Sequence, residues 1–121
     1  MNNDSRMYKS KYGNKVWRNS NGELHRKNGP AFIQKDGHKE WRINGRFHRL
    51  DGLAVIFANG DMAWYINGVL HREDGPAIIW IDGRKFWHLH GIEFKKKEDY
   101  FDALPEYAKA KCLFSQDFFN G

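Results

Sequence analysis

The side chains of this chain that could do chemistry come in a row. His25, His48 and His71 lie 23 residues apart, and each is followed by an arginine: Arg26, Arg49 and Arg72. Imidazoles can ligate a metal or move a proton, and guanidinium groups can hold phosphates. Near the end of the row His88 and His90 flank Leu89, with Glu93 close by. On a strand that alternation would put both rings on one face, the beginning of a metal seat without a third ligand. Cys112 is the single thiol, placed in a stretch that reads as helix, where a small buried role is expected rather than a nucleophilic one. A phosphate-cradling glycine loop, a His-Glu-x-x-His helix and a Gly-x-Ser-x-Gly elbow are all missing from the sequence.

The period itself favours a structural role for the histidines. Two strands per period, each about 4.8 Å wide, would put equivalent atoms of neighbouring units roughly 10 Å apart. That is too far for adjacent histidines to share one zinc ion. An imidazole bonding a neighbouring turn carbonyl, and an arginine pairing with Asp51 or Asp74 two residues on, would stabilise a bend in each unit instead. No catalytic residue, metal or cofactor is therefore assigned, and the chain is read as a non-enzyme.

The elements that carry these residues follow from the same lattice. Gly22, Gly45, Gly68 and Gly91 share the 23-residue spacing, as do Gly29, Gly52 and Gly75, and Trp41, Trp64 and Trp87. Trp17 is offset by one inserted residue. Asn44-Gly45 and Asn67-Gly68 predict two-residue hairpin turns, and Asp36-Gly37, Asn59-Gly60 and Asp82-Gly83 a second turn in each period. Strands are expected over 40–43, 63–66 and 86–89, and over 54–58 and 77–81, in an antiparallel meander. The His-Arg-x-Asp/Asn-Gly segments should kink it. Alternation places the tryptophans on one face, stacked in register as the core.

Beyond Phe94 the turn glycines stop until Gly121. A helix over 98–104 is predicted, then a second from Pro105 to about Phe114 with Tyr107, Ala110 and Phe114 on one side, together capping the open end of the array. The fold class is thus an all-β repeat, an antiparallel β-hairpin meander, with a small C-terminal α-helical cap. It divides into a basic amino-terminal arm (1–12), the array (13–94, in units of about 13–35, 36–58, 59–81 and 82–94) and the cap (95–121).

Among 121 residues the net charge is +5, and its distribution matters more than its size. The first 35 residues carry eight Lys/Arg against two Asp/Glu, while the array beyond them and the cap are close to neutral. The excess in Arg6, Lys9, Lys11, Lys15 and Arg18 predicts a solvated arm, with phosphate contact as the alternative. Without an apolar run long enough to span a bilayer, a signal-like start or a second cysteine, the expectation is a cytoplasmic protein with no membrane association.

The run from Asn67-Gly68 through His71 to Gly75, with Asp82-Gly83 opening the next unit, resembles the MORN repeat. More closely, Asn67-Gly68-Val69-Leu70-His71-Arg72-Glu73-Asp74-Gly75-Pro76-Ala77 looks like the repeat of small proteins of tailed bacteriophages and large viruses. The resemblance covers 13–94 and departs from standard units at Arg26, Arg49 and Arg72, where glycine is usual. It implies a β-hairpin array and a viral setting. The resulting expectation is a protein-interaction module, a phage accessory protein that binds and inhibits a host enzyme or defence factor. Its binding surface is placed on the non-tryptophan face, at Arg42, Tyr65 and Phe86. The alternative is nucleic-acid or nucleotide phosphate binding through Arg26, Arg49 and Arg72 with the basic arm. Self-association through an edge or the tryptophan stripe is a further expectation.

Overall fold

The computed structural model describes residues 4–121. Thirteen short strands precede three helices: β1 Arg6–Lys9, β2 Lys15–Arg18, β3 Phe32–Ile33, β4 Lys39–Glu40, β5 Arg42–Ile43, β6 Arg46–Phe47, β7 Val55–Ile56, β8 Met62–Ala63, β9 Tyr65–Ile66, β10 Val69–Leu70, β11 Ile78–Ile79, β12 Lys85–Leu89 and β13 Ile92–Phe94. Nine of them form one sheet in the order β1-β2-β3-β4-β7-β8-β11-β12-β13, every neighbour antiparallel, and β5-β6 and β9-β10 form separate two-stranded hairpins.

The strands expected over 40–43 and 63–66 are each split at the tryptophan, and backbone hydrogen bonding explains why. The Trp41 N–H donates to the Ala54 carbonyl of the main sheet, while the Trp41 carbonyl accepts from the His48 N–H of the hairpin return. Trp64 does the same with Ala77 and His71, and Trp17 with Ala31 and His25. Each tryptophan is thus the pivot at which a strand changes partners, and the hairpin turns away from the sheet there. β2 and β12 pass through their tryptophans, Trp17 and Trp87, unbroken. Each return strand (β6, β10, β13) is an element that the sequence pattern did not predict.

The two turn classes obey different requirements. Asn44-Gly45 and Asn67-Gly68 have positive φ at both residues, 49° and 81°, and 50° and 80°, as a type I′ turn demands. His90-Gly91 takes the same shape at 50° and 81°, so His90 stands on the lattice position of Asn44 and Asn67 rather than on a strand beside His88. In the second class only the glycine is left-handed. Gln34 and His38, Phe57 and Asp61, and Trp80 and Arg84 are bonded across three-residue loops closed by Gly37, Gly60 and Gly83.

The expected amino-terminal arm is replaced at Arg6–Lys9 by an edge strand, with all four side chains exposed. The tryptophans also depart from a continuous stack. Trp17, Trp41 and Trp64 are half-buried, and each is covered by an arginine; Trp87 alone is buried, under aromatic rings of the cap. Ala31, Ala54 and Ala77, all completely buried, sit where the backbone bonds to strands on both sides.

The helices are α1 Lys97–Ala103, α2 Glu106–Cys112 and a third, α3 Gln116–Asn120, that was not anticipated. Pro105 is the N-cap of α2 rather than its first residue. That helix turns Ala108 and Cys112 inward, leaving Tyr107 and Phe114 exposed, so its buried side is the opposite of the one predicted. Trp87, Leu89, Tyr100, Leu104, Ala108 and Cys112 form one apolar cluster, which Phe94, Phe101 and Phe118 border. The cap completes an unfinished unit. In the fourth period the lattice places of histidine and arginine hold Phe94 and Lys95, so no guanidinium covers Trp87. Tyr100 and Phe118 do so instead, with ring centroids 4.9 and 5.9 Å away. The Tyr100 hydroxyl donates to the Arg72 carbonyl and accepts from the Gly75 N–H, and burial pushes its ionisation well above the ordinary tyrosine range. Tyr100→Phe strands a buried amide and a buried carbonyl. A loss of about 1–3 kcal/mol in urea-unfolding stability is expected, with the far-ultraviolet spectrum unchanged.

Candidate functional site

The row of His-Arg segments holds most of the buried polar chemistry, so its geometry decides what remains for binding. Each arginine lies over the tryptophan of its own unit: the guanidinium carbons of Arg26, Arg49 and Arg72 stand 3.8, 4.3 and 4.0 Å from the ring centroids of Trp17, Trp41 and Trp64. On their other side the same groups press on glycine. A Cβ built on Gly29, Gly52 or Gly75 would come within 3.0, 2.9 or 2.8 Å of the guanidinium carbon. None of these glycines has positive φ, so closeness and not backbone conformation requires them. One guanidinium nitrogen then donates to the carbonyl of Pro30, Leu53 or Pro76, at 3.2 Å in every unit.

The histidines bind forward, to the next unit. The amides of Asn44, Asn67 and His90 donate to Nδ1 of His25, His48 and His71, all at 2.9 Å. The expected turn partner is therefore an N–H, not a carbonyl, and the ring must be neutral with its proton on Nε2. The arginine amides continue the link: Arg26, Arg49 and Arg72 donate through their backbone to the carbonyls of Arg42, Tyr65 and His88. Among the described residues no group of three or more possible ligands is placed to hold a metal. His88 is buried, and its Nδ1 has no partner among the described residues.

What differs among the three segments is their cover. In the first, Asp4 accepts from His25 Nε2 at 3.0 Å and pairs with Lys27 at 3.1 Å, and these bonds hold its carboxyl below the usual range. In the third, Arg72 pairs with Asp74 and with Asp117 of α3, both at 2.8 Å. Glu73 there accepts from Tyr107 and pairs with Lys111. Burial opposes ionisation of Glu73, but those hydrogen bonds outweigh it and keep the carboxyl below its ordinary range. The Cys112 thiol points at the Glu73 carbonyl, and burial raises its pKa, which favours the protonated form.

The middle segment has no such cover. Arg49 reaches Asp51 only at 3.9 Å, and neither its outer nitrogen nor His48 Nε2 has a partner among the described residues. Leu50 is 76% exposed, on the lattice position held by Lys27 and Glu73 in the flanking units. Beside it opens a groove of about 650 Å³ whose lining combines apolar Leu50, Ile66 and Val69 with the charged Asp51, Glu73, Asp74 and Lys111.

The residues expected to bind on the non-tryptophan face are engaged within the chain. Arg42 is bonded to Glu40 at 2.6 Å and stacked on Phe47, Tyr65 packs on Phe47, and Phe86 packs on Trp80. All three are half-buried. Arg72, one of the three expected phosphate contacts, is buried; Arg26 is half-buried, and Arg49 keeps about a third of its side chain in solvent. Leu50 went unremarked in the sequence, although its signal was there: an apolar residue on a lattice position that is otherwise charged. Asp4, Tyr100 and Asp117 left no such signal, since their partners are 21 to 45 residues away. No family model, curated protein or solved structure matches the chain.

Two measurements test this wiring. Gly52→Ala should cost about 1–3 kcal/mol by overpacking the Arg49 guanidinium. In a double-mutant cycle the penalty should shrink by at least about 0.5 kcal/mol when Arg49→Ala is also present. Protonation should also weaken the array. Burial first, and then the charge of His90, lower the pKa of His71 despite the Glu73 carboxylate 3.5 Å from its Nε2; burial lowers that of His88. As pH falls the unfolded chain takes up these protons first, so the stability they support is complete above about 6.5 and drains as pH drops through the folded-state values. Urea midpoints should fall between about pH 7.5 and about pH 5.5, and His71→Phe should flatten that slope while lowering the midpoint at the higher pH.

Proposed function

We propose that this chain is a non-enzymatic protein-interaction module whose binding surface is centred on the middle repeat. The supporting observation is a mismatch between exposure and residue type on the lattice. Position 50 is occupied by lysine and glutamate in the flanking units, and position 69 by glutamate and arginine in the two preceding ones (Lys27, Glu73, Glu23, Arg46). The fold accepts charge at both places, yet Leu50 and Val69 are apolar, 76% and 41% exposed, and border one groove. Apolar surface with no role in folding costs solubility and is kept where a partner covers it. The histidines and arginines of the row are meanwhile taken up in holding the units together. A phage accessory role against a host factor is the biological setting that the repeat resemblance implies for such a module.

A Leu50→Glu/Val69→Glu variant restores the charge that neighbouring units carry, so it should fold with an unchanged urea midpoint. Affinity capture from bacterial lysate should retain a stoichiometric protein on the wild type and lose it on the variant; equal recovery on both would refute the reading.

A second reading is favoured by one observation on β1 and β2. Arg6 faces Arg18 and Lys9 faces Lys15 across the ladder, like charges directly opposed at a sheet edge, a costly arrangement that a bound polyanion would relieve. In this reading the phosphate contacts come from that edge, beside the exposed Tyr8 and Tyr12, and not from the arginine row. Affinity for single-stranded DNA should then fall steeply with salt, and Arg6→Glu/Lys9→Glu should abolish it. Salt-independent or undetectable binding at low ionic strength would dismiss it.

A further inference from the structure

The uncovered middle segment can be read through its two neighbours, because each of those holds a carboxylate delivered by another part of the chain. At the first, Asp4 meets the outward nitrogen of His25. At the third, Asp117 meets the outward nitrogen of Arg72, and the helix that brings it also lays Phe118 against Trp87. The geometry of the three segments is the same: equal hydrogen bonds from each arginine to the carbonyl of residue i+4, from the amide of the next turn to each histidine, and a glycine beneath each guanidinium. A site built twice and filled twice is therefore present a third time, with its donors unspent. His48 Nε2 and the outer nitrogen of Arg49 are directed donors, and carboxylate is the group that both neighbours supply to such donors.

We propose that the middle repeat docks an acidic peptide segment of a partner protein, a carboxylate on Arg49 and His48 with an adjoining apolar side chain in the groove beside Leu50, Ile66 and Val69. This rests on the interaction-module reading and names its chemistry. Three features support the choice of occupant. The groove floor is apolar where Leu50, Ile66 and Val69 meet, so the carboxylate needs an apolar neighbour, as Asp117 has in Phe118 and Phe119. Lys111 lines the same groove, where its ion pair with Glu73 at 3.3 Å leaves half of the side chain in solvent. Three carboxylates line the groove as well, and none is bonded closely to Arg49 or His48: Asp74 pairs with Arg72 at 2.8 Å. Asp51 is almost fully exposed and 3.9 Å from Arg49, and Glu73 is already committed to Tyr107 and Lys111. Asp4 and Asp117 cover the two outer segments, so among the described residues only the middle one is left open.

The test uses the full chain and a capped synthetic peptide copying residues 113–121, whose own place at the third unit is already taken by the tail it copies. In a nitrogen-15 NMR titration, saturable shifts are expected at the Arg49 side-chain Nε–H, the Leu50 amide and the Trp64 indole. Replacing the peptide aspartate by asparagine should weaken binding at least tenfold. Arg49→Gln should do likewise, and because that change also removes a stacking contact, Leu50→Glu serves as the fold-neutral variant and should weaken binding at least tenfold as well. No shifts at Arg49 up to millimolar peptide, or binding untouched by the asparagine peptide, would overturn the proposal. So would shifts confined to Arg72 and the cap, which mean exchange with the resident tail, or a mass increase to a dimer, which means that a second copy fills the groove. Should the peptide fail while capture from lysate still depends on positions 50 and 69, the module reading stands and only the acidic chemistry falls.

Discussion

A guanidinium held between an indole face and a bare glycine backbone is the contact on which the array depends. Three times over, an arginine lies on the tryptophan of its unit and under it the chain has no side chain at all. Such a pair contributes about 0.5–1 kcal/mol when exposed and ~2 when desolvated. More important, it lets a repeat of only 23 residues make a hydrophobic layer without a conventional core. The arginine stem covers apolar surface while its nitrogens satisfy carbonyls that a bulge would otherwise leave unpaired. The pivot at each tryptophan and the fully buried alanines follow from the same need for close backbone approach.

Coupling between units then runs in one direction. Each imidazole accepts from the turn of the next repeat and each arginine amide donates to the following strand, so every unit is completed by the one after it. At the opposite edge Asn14 accepts from the Lys35 amide and Asp61 from that of Ile81. Stability in such an array is the sum of nearest-neighbour terms, and the ends are where the sum fails. Here the last tryptophan has no arginine to cover it, and the helices bring Tyr100 and Phe118 to take its place. Among the described residues no helix is long and apolar enough to cross a membrane.

These demands also leave little chemistry to spare. A histidine whose Nδ1 accepts an amide and an arginine wedged against glycine are poor candidates for moving protons or gripping phosphate, because displacing either breaks the link between repeats. In the middle segment the wiring is complete and the cover is absent. Leu50, next in the chain after His48 and Arg49, lines the groove there. The structural role of the row is thus separate from the binding role proposed for a single unit.

Much of this was legible in the residues themselves. The 23-residue spacing located the units, the Asn-Gly pairs specified hairpins because few residues tolerate positive φ, and the loss of turn glycines after Phe94 marked the cap. These features are local, and local backbone preference is written in the chain. Partner choice is not local. The pattern could not say that arginines rather than neighbouring rings would cover the tryptophans, that imidazoles would accept amides from the next unit, that α2 would bury Ala108 and Cys112, or that β1 would form the sheet edge. Nor could it say which of three equivalent His-Arg segments would stay open. That was decided by where Asp4 and Asp117 land, 21 and 45 residues from their partners, and a contact at that range exists only once the whole chain has packed.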